Sequence, residues 1–100
     1  MKKDVSVTVT PKEITVNPTT AIRLKKNEDT IEWASTTKDQ QFTIVLPPGE
    51  PPVTCAFQGK TWICQAGPFQ AGTTVRKFKY DITAPNAPLL DPDIEVFPEA

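Results

Sequence analysis

The stretch TTVRKFKYDITAPNAPLLDPDIEVF, from Thr73 to Phe97, decides how the chain is read. Arg76, Phe78, Tyr80 and Ile82 fall on one face of an extended segment, and Val75, Lys77, Lys79, Asp81 and Thr83 fall on the other. Aromatic and β-branched residues at period two, with lysines opposite, mark a half-buried strand. Pro85 and Pro88 then end ladder pairing, because proline has no N–H to donate. Asp93-Ile94-Glu95-Val96 resumes the alternation and predicts a closing strand with Ile94 and Val96 inward.

The same period extends outward. Val5, Val7 and Val9 alternate with Ser6, Thr8 and Thr10 in a first strand. Pro11 breaks it, and Ile14 and Val16 restart on even numbers, which requires a bulge or turn. Asn17-Pro18 signals a turn. Ala21, Ile22 and Leu24 predict a third strand, Thr30 to Trp33 a fourth with Ile31 and Trp33 inward, and Gln41 to Leu46 a fifth. Asn27-Glu28-Asp29 reads as a polar turn, and Ser35 to Gln40 as a polar loop. Pro47-Pro48-Gly49-Glu50-Pro51-Pro52 excludes helix and central strand. It reads as a stiff connector ahead of a polyproline ligand. With no apolar period of 3.6 residues, one domain over residues 1–100 is expected, an all-β sandwich of about seven to nine strands.

Composition excludes more than it assigns. The net charge is −1, so no overall field draws the chain to nucleic acid or an anionic membrane. No apolar run reaches the roughly 18–20 residues needed to span a bilayer. Met1-Lys2-Lys3 resembles the start of a signal peptide, but no apolar run follows. This predicts a chain kept in the cytosol or one whose signal was removed. The chain has no histidine. Ser-His-Asp or Cys-His catalysis therefore cannot be built from it, nor can a histidine-based zinc, iron or copper site. No enzyme activity and no cofactor are expected.

Cys55 and Cys64 are the only cysteines, and Gly59-Lys60 sits midway between them. A two-residue type II′ turn at Gly59-Lys60 would pair Gln58 with Thr61, Phe57 with Trp62, Ala56 with Ile63 and Cys55 with Cys64. The two cysteines would then form a non-hydrogen-bonded pair, where side chains approach most closely. Three readings are open: a structural cross-strand disulfide, a pair of buried thiols, and a redox switch using Cys55 and Cys64. The first is preferred, and it places the protein in the periplasm, on the cell surface or outside the cell. Reduced cysteines would place it in the cytoplasm.

The order of strands resembles a cupredoxin-like β-sandwich from Val5 to Val96. VSVTVTPKEITVNP resembles that family's paired first strands, and TIEWAS its strand ending in Trp and a small polar residue. FKYDIT followed by a loop and DPDIEV resembles its penultimate strand, ligand loop and last strand. The resemblance implies a Greek-key sandwich; an immunoglobulin-like sandwich is the alternative. Whether the closing strand pairs in parallel with the first is one way to separate the two topologies. In copper-binding members a histidine follows the Trp-bearing strand, where this chain has Gln40 and Gln41. Their ligand cysteine lies two residues beyond an aromatic of the penultimate strand; two beyond Tyr80 is Ile82. Thr83 to Asp91 contains no His, Cys or Met. What carries over is the scaffold, without the copper site.

Asn17-Pro18-Thr19-Thr20 also resembles the loop that immunoglobulin-like inhibitors of papain-type proteases insert into the protease cleft. Ala21 replaces that family's glycine, and its Gly-rich and Arg-Pro-Trp loops have no counterpart here. Asp91, Asp93 and Glu95 offer oxygens of the kind calcium takes, but they lack the glycine and ligand density of a calcium loop, and Asp93 and Glu95 read instead as the wet face of the last strand. Arg23, Lys25, Lys26, Arg76, Lys77 and Lys79 read as solvated strand faces. Trp33 reads as core. Trp62, with Phe57 beside it, is the aromatic expected at any binding surface. Taken together, these features predict a copper-free, non-enzymatic binding or structural module with an unidentified protein partner. Protease inhibition through Asn17–Thr20 and thiol switching are the alternatives.

Overall fold

A computed structural model describes residues 1–98. Its strands are β1 (Lys2–Val9), β2 (Ile14–Asn17), β3 (Ile22–Lys25), β4 (Thr30–Ser35), β5 (Thr43–Val45), β6 (Thr54–Gln58), β7 (Thr61–Ala66), β8 (Arg76–Lys79), β9 (Asp81–Thr83) and β10 (Asp93–Phe97). Among the described residues there is no helix, hence none long and apolar enough to cross a membrane.

The largest sheet has the order β2-β1-β4-β7-β6. Against it pack a three-stranded sheet, β3-β10-β8, and a pair, β5-β9. Two neighbour pairs are parallel: β1 with β4, and β3 with β10. The closing strand thus pairs in parallel with β3 and does not pair with β1. Register carries the alternation across the large sheet. Val5 pairs with Trp33, Trp33 with Cys64, and Cys64 with Cys55. The first three of these are fully buried or nearly so. From the other layer Leu24, Tyr80, Ile82, Ile94 and Val96 complete the core.

The single strand expected over Val75–Thr83 is divided at Tyr80, giving ten strands where seven to nine were expected. Its hairpin with the closing segment nonetheless continues through the division. Tyr80 N–H donates to the Pro92 carbonyl, and Ile82 and Leu90 exchange backbone hydrogen bonds. Pro92 is tolerated there because it serves only as an acceptor. The change lies on the other edge, where β9 takes β5 as partner, Ile44 opposite Ile82. The fifth strand is correspondingly short, although Phe42 and Ile44 face inward as its alternation predicts.

Three anchors are not given by the alternation. Phe69 is wholly buried from a loop. Arg76 holds Glu50 through two hydrogen bonds of 2.7 and 2.9 Å and donates its Nε–H to the Gln70 carbonyl. This ties the proline-rich connector to the loop that follows β7. Asp29, read as part of a polar turn, is a buried carboxylate. Burial works against its charge, but the Lys25 N–H, at 2.8 Å, and the N-terminal ammonium outweigh it and hold its pKa below the ordinary value.

Gly67 adopts φ +119°, and a Cβ there would stand 2.9 Å from the Thr30 Cα. Gly67→Ala is expected to destabilise the fold by about 1–3 kcal/mol, from backbone strain and that backbone contact. Gly72, with open space around its Cβ position, is the control. Gly72→Ala should stay within roughly 0.5 kcal/mol in denaturant titrations. Equal effects at the two sites would refute the close-approach explanation.

Candidate functional site: the open edge of the cysteine hairpin

The hairpin of β6 and β7 has the register expected from its turn: Gln58 with Thr61, Phe57 with Trp62, Ala56 with Ile63, Cys55 with Cys64. Gly59 takes φ +63° and Lys60 does not have positive φ, as a type II′ turn requires. Cys55 and Cys64 form a disulfide. Their Cα atoms lie 4.0 Å apart, the short spacing of a non-hydrogen-bonded pair. Cys64 is fully buried and Cys55 half-buried, so the bond fastens β6 to a strand rooted in the core.

That register fixes what β6 presents to its free side. The pair closing a two-residue turn exchanges backbone hydrogen bonds, and the pattern alternates from there. Gln58, Ala56 and Thr54 therefore bond to β7. The N–H and C=O groups of Phe57 and Cys55 point away from it, and among the described residues β6 has no neighbour on that side. From Pro51 to Gly59 the chain carries no charge. The other open edges differ. β3 and β8 carry Arg23, Lys25, Arg76, Lys77 and Lys79. β5 is only three residues long, and β2 is bracketed by Lys12-Glu13 and Pro18. Lysines, prolines and short length are the usual devices that protect a strand edge. β6 has only the prolines at its base.

Two aromatic rings border this edge. Phe57 is 41% exposed and packs edge-to-face on Trp62, with ring centroids 5.0 Å apart. Trp62 is half-buried, and its Nε1–H donates to the Phe42 carbonyl at 2.7 Å. The hairpin therefore lies against the sandwich and does not project, with the Trp62 ring held in one orientation. Sequence alternation could not show this, because the acceptor belongs to the segment entering β5. At the turn, Asp39 N–H donates to the Lys60 carbonyl. The Lys38 ammonium beside Lys60, helped by a small desolvation effect, pushes the Lys60 pKa down.

Asn17, Pro18, Thr19 and Thr20 are all exposed, in the segment by which the chain passes from β2 to β3. Asn17 pairs with Ser6, three residues back from the Val9–Ile14 pair beside the β1–β2 turn. The positions matching copper ligands hold Gln40, Gln41 and a fully buried Ile82. Among the described residues no group of three or more His, Cys, Asp or Glu side chains could hold a metal ion. The basic residues are interleaved with acids. Glu95 pairs across β10 with both Lys77 and Arg23, and Lys79 lies 3.0 Å from Asp93. Compared with models of known protein families and with curated proteins, the sequence matches none.

Proposed function

We propose that this protein is a non-enzymatic, copper-free sandwich of cupredoxin-like topology that works as a protein-interaction module. Its binding element is the β6 edge with Phe57 and Trp62. The observation that carries the reading is a disulfide-fastened, uncharged strand with unpaired backbone groups. Such an edge accepts an added strand, main-chain hydrogen bonds supplying affinity and neighbouring side chains supplying selectivity. The two parallel pairs support the cupredoxin-like reading over the immunoglobulin-like one, whose sheets are antiparallel. The disulfide supports a site of action in the periplasm, at the cell surface or outside the cell.

A photo-reactive residue placed at Gln58 tests this in cells that make the protein, with Thr15 on the opposite edge as control. Adducts to another polypeptide from position 58 alone are expected. Equal labelling from both positions, or none from 58, would sink the proposal. The inhibitor reading through Asn17–Thr20 has no comparable feature beyond exposure.

A further inference from the structure

We infer that the occupant of the β6 edge is a second copy of this chain, added antiparallel about a two-fold axis at Ala56; this rests on the edge being the binding element. Thr54-Cys55-Ala56-Phe57-Gln58 is self-complementary about its centre: polar, apolar, alanine, apolar, polar. Two-fold pairing sets Cys55 opposite the copy's Phe57, Thr54 opposite its Gln58, and Ala56 opposite itself.

The backbone agrees with this register. Cys55 and Phe57 are the residues whose N–H and C=O groups face outward, and a pair of such residues exchanges both hydrogen bonds. Ala56 then falls at a non-hydrogen-bonded site on the axis, where Cβ atoms come within about 4.5–5.5 Å and a small side chain fits. Faces also match, since directly paired residues share a side of the sheet. The half-buried Cys55 and exposed Phe57 come together beside the core, and Thr54, Ala56 and Gln58 remain on the outer face.

Charge favours a copy as occupant. A two-fold contact sets an edge against its own copy, so a strand whose charges all have one sign opposes itself, as the wholly basic β3 and β8 would. β6 carries no charge, and the whole chain carries only −1. The Lys38–Lys60 cluster does not oppose the pairing. Lys60 lies four residues from Ala56, so antiparallel packing puts the two tips roughly 27 Å apart at the strand rise per residue. That is well beyond the ~8 Å screening length at physiological salt. Prolines 51 and 52 end the pairable segment and confine the register to β6. The result doubles the five-stranded sheet.

Sedimentation equilibrium of the whole disulfide-bonded chain, from about 10 μM to about 1 mM, tests the proposal, because an edge contact of small area is weak. The apparent mass should rise toward twice the chain mass, with the Cys55 and Phe57 amides becoming slower to exchange as concentration increases. Ala56→Lys, at an exposed position, should stay at the monomer mass, and Thr15→Lys should dimerise like the parent. A parent that stays monomeric throughout, or an Ala56→Lys variant that dimerises equally, overturns the inference. The amide readout in the parent decides the matter even if a variant folds poorly. Position-58 adducts to a different polypeptide from a monomeric parent would reject the dimer and keep the interaction module. A monomeric parent with no adducts would reject both.

Discussion

Trp33→Ala is expected to lower stability by about 3–5 kcal/mol, the usual cost of emptying a fully buried large aromatic site. Trp33 is wholly buried in β4, and its Nε1–H donates to the Tyr80 hydroxyl of the opposing layer at 3.0 Å. The two ring centroids are 5.5 Å apart. This one side chain therefore both fills the space between the sheets and bonds across it. For a chain of this length the melting temperature should fall by about 12–40 °C. Tyr80→Phe keeps the packing but leaves the indole N–H without its acceptor, and should cost about 1–3 kcal/mol. The chain has a single tyrosine, so phenolate absorbance reports Tyr80 alone. Burial pushes its pKa from 10.0 up to about 12, with the Trp33 hydrogen bond pulling the other way. The raised value fixes the sign. The stability it reflects is fully present below pH 10 and is lost as pH rises from 10 toward 12. An ordinary tyrosine titration in folded protein, or a Trp33→Ala loss below about 1 kcal/mol, contradicts this packing.

Replacing both cysteines with alanine is expected to cost about 2–3 kcal/mol in the chain-entropy account of a short disulfide loop. The two cysteines are nine residues apart in sequence. The cost should be concentrated at β6, which among the described residues has a hydrogen-bonded neighbour on one side only. In the variant, the Ala56 and Gln58 amides should exchange far faster, while those of β1 and β4 change only with the global stability. Reducing the parent protein should reproduce the effect. Denaturant midpoints of the parent and the variant, each measured with and without reductant, provide the check. Identical midpoints would show that the disulfide does not hold the edge, and would return Cys55 and Cys64 to consideration as a thiol switch.

Local chemistry made much of this fold legible, and long-range pairing made the rest illegible. The hairpin register followed from Gly59-Lys60, because a two-residue turn fixes every pair behind it. Alternation identified Val5, Val7, Ile31, Trp33, Ile82, Ile94 and Val96 as inward, because a strand has a period of two whatever its partner is. No such local rule selects the partner. The parallel pairing of β1 with β4 joins segments more than twenty residues apart through a register that no turn constrains. The division at Tyr80 arises because β5 reaches only the far half of a continuous extended segment. Phe69 lacked a period to place it. The charges of Asp29 and Arg76 suggested exposure, but the N-terminal ammonium and the Lys25 N–H settle Asp29 in a buried place, and Arg76 reaches a Glu50 that only the folded chain brings near. Phe57 and Trp62 were recognisable as a pair, but the orientation of Trp62 depends on a carbonyl twenty residues away.

Photo-cross-linking from position 58, with position 15 in parallel, bears most directly on the claim that this sandwich works through its β6 edge. The two positions lie on the two outer strands of the same sheet and differ in what surrounds them: one edge uncharged and disulfide-fastened, the other bounded by Lys12-Glu13 and Pro18. Discrete adducts are expected from position 58 and background labelling from position 15, with the position-58 signal lost when Ala56→Lys is added. Adducts from position 15 that match those from 58, or position-58 adducts that persist in Ala56→Lys, would contradict it.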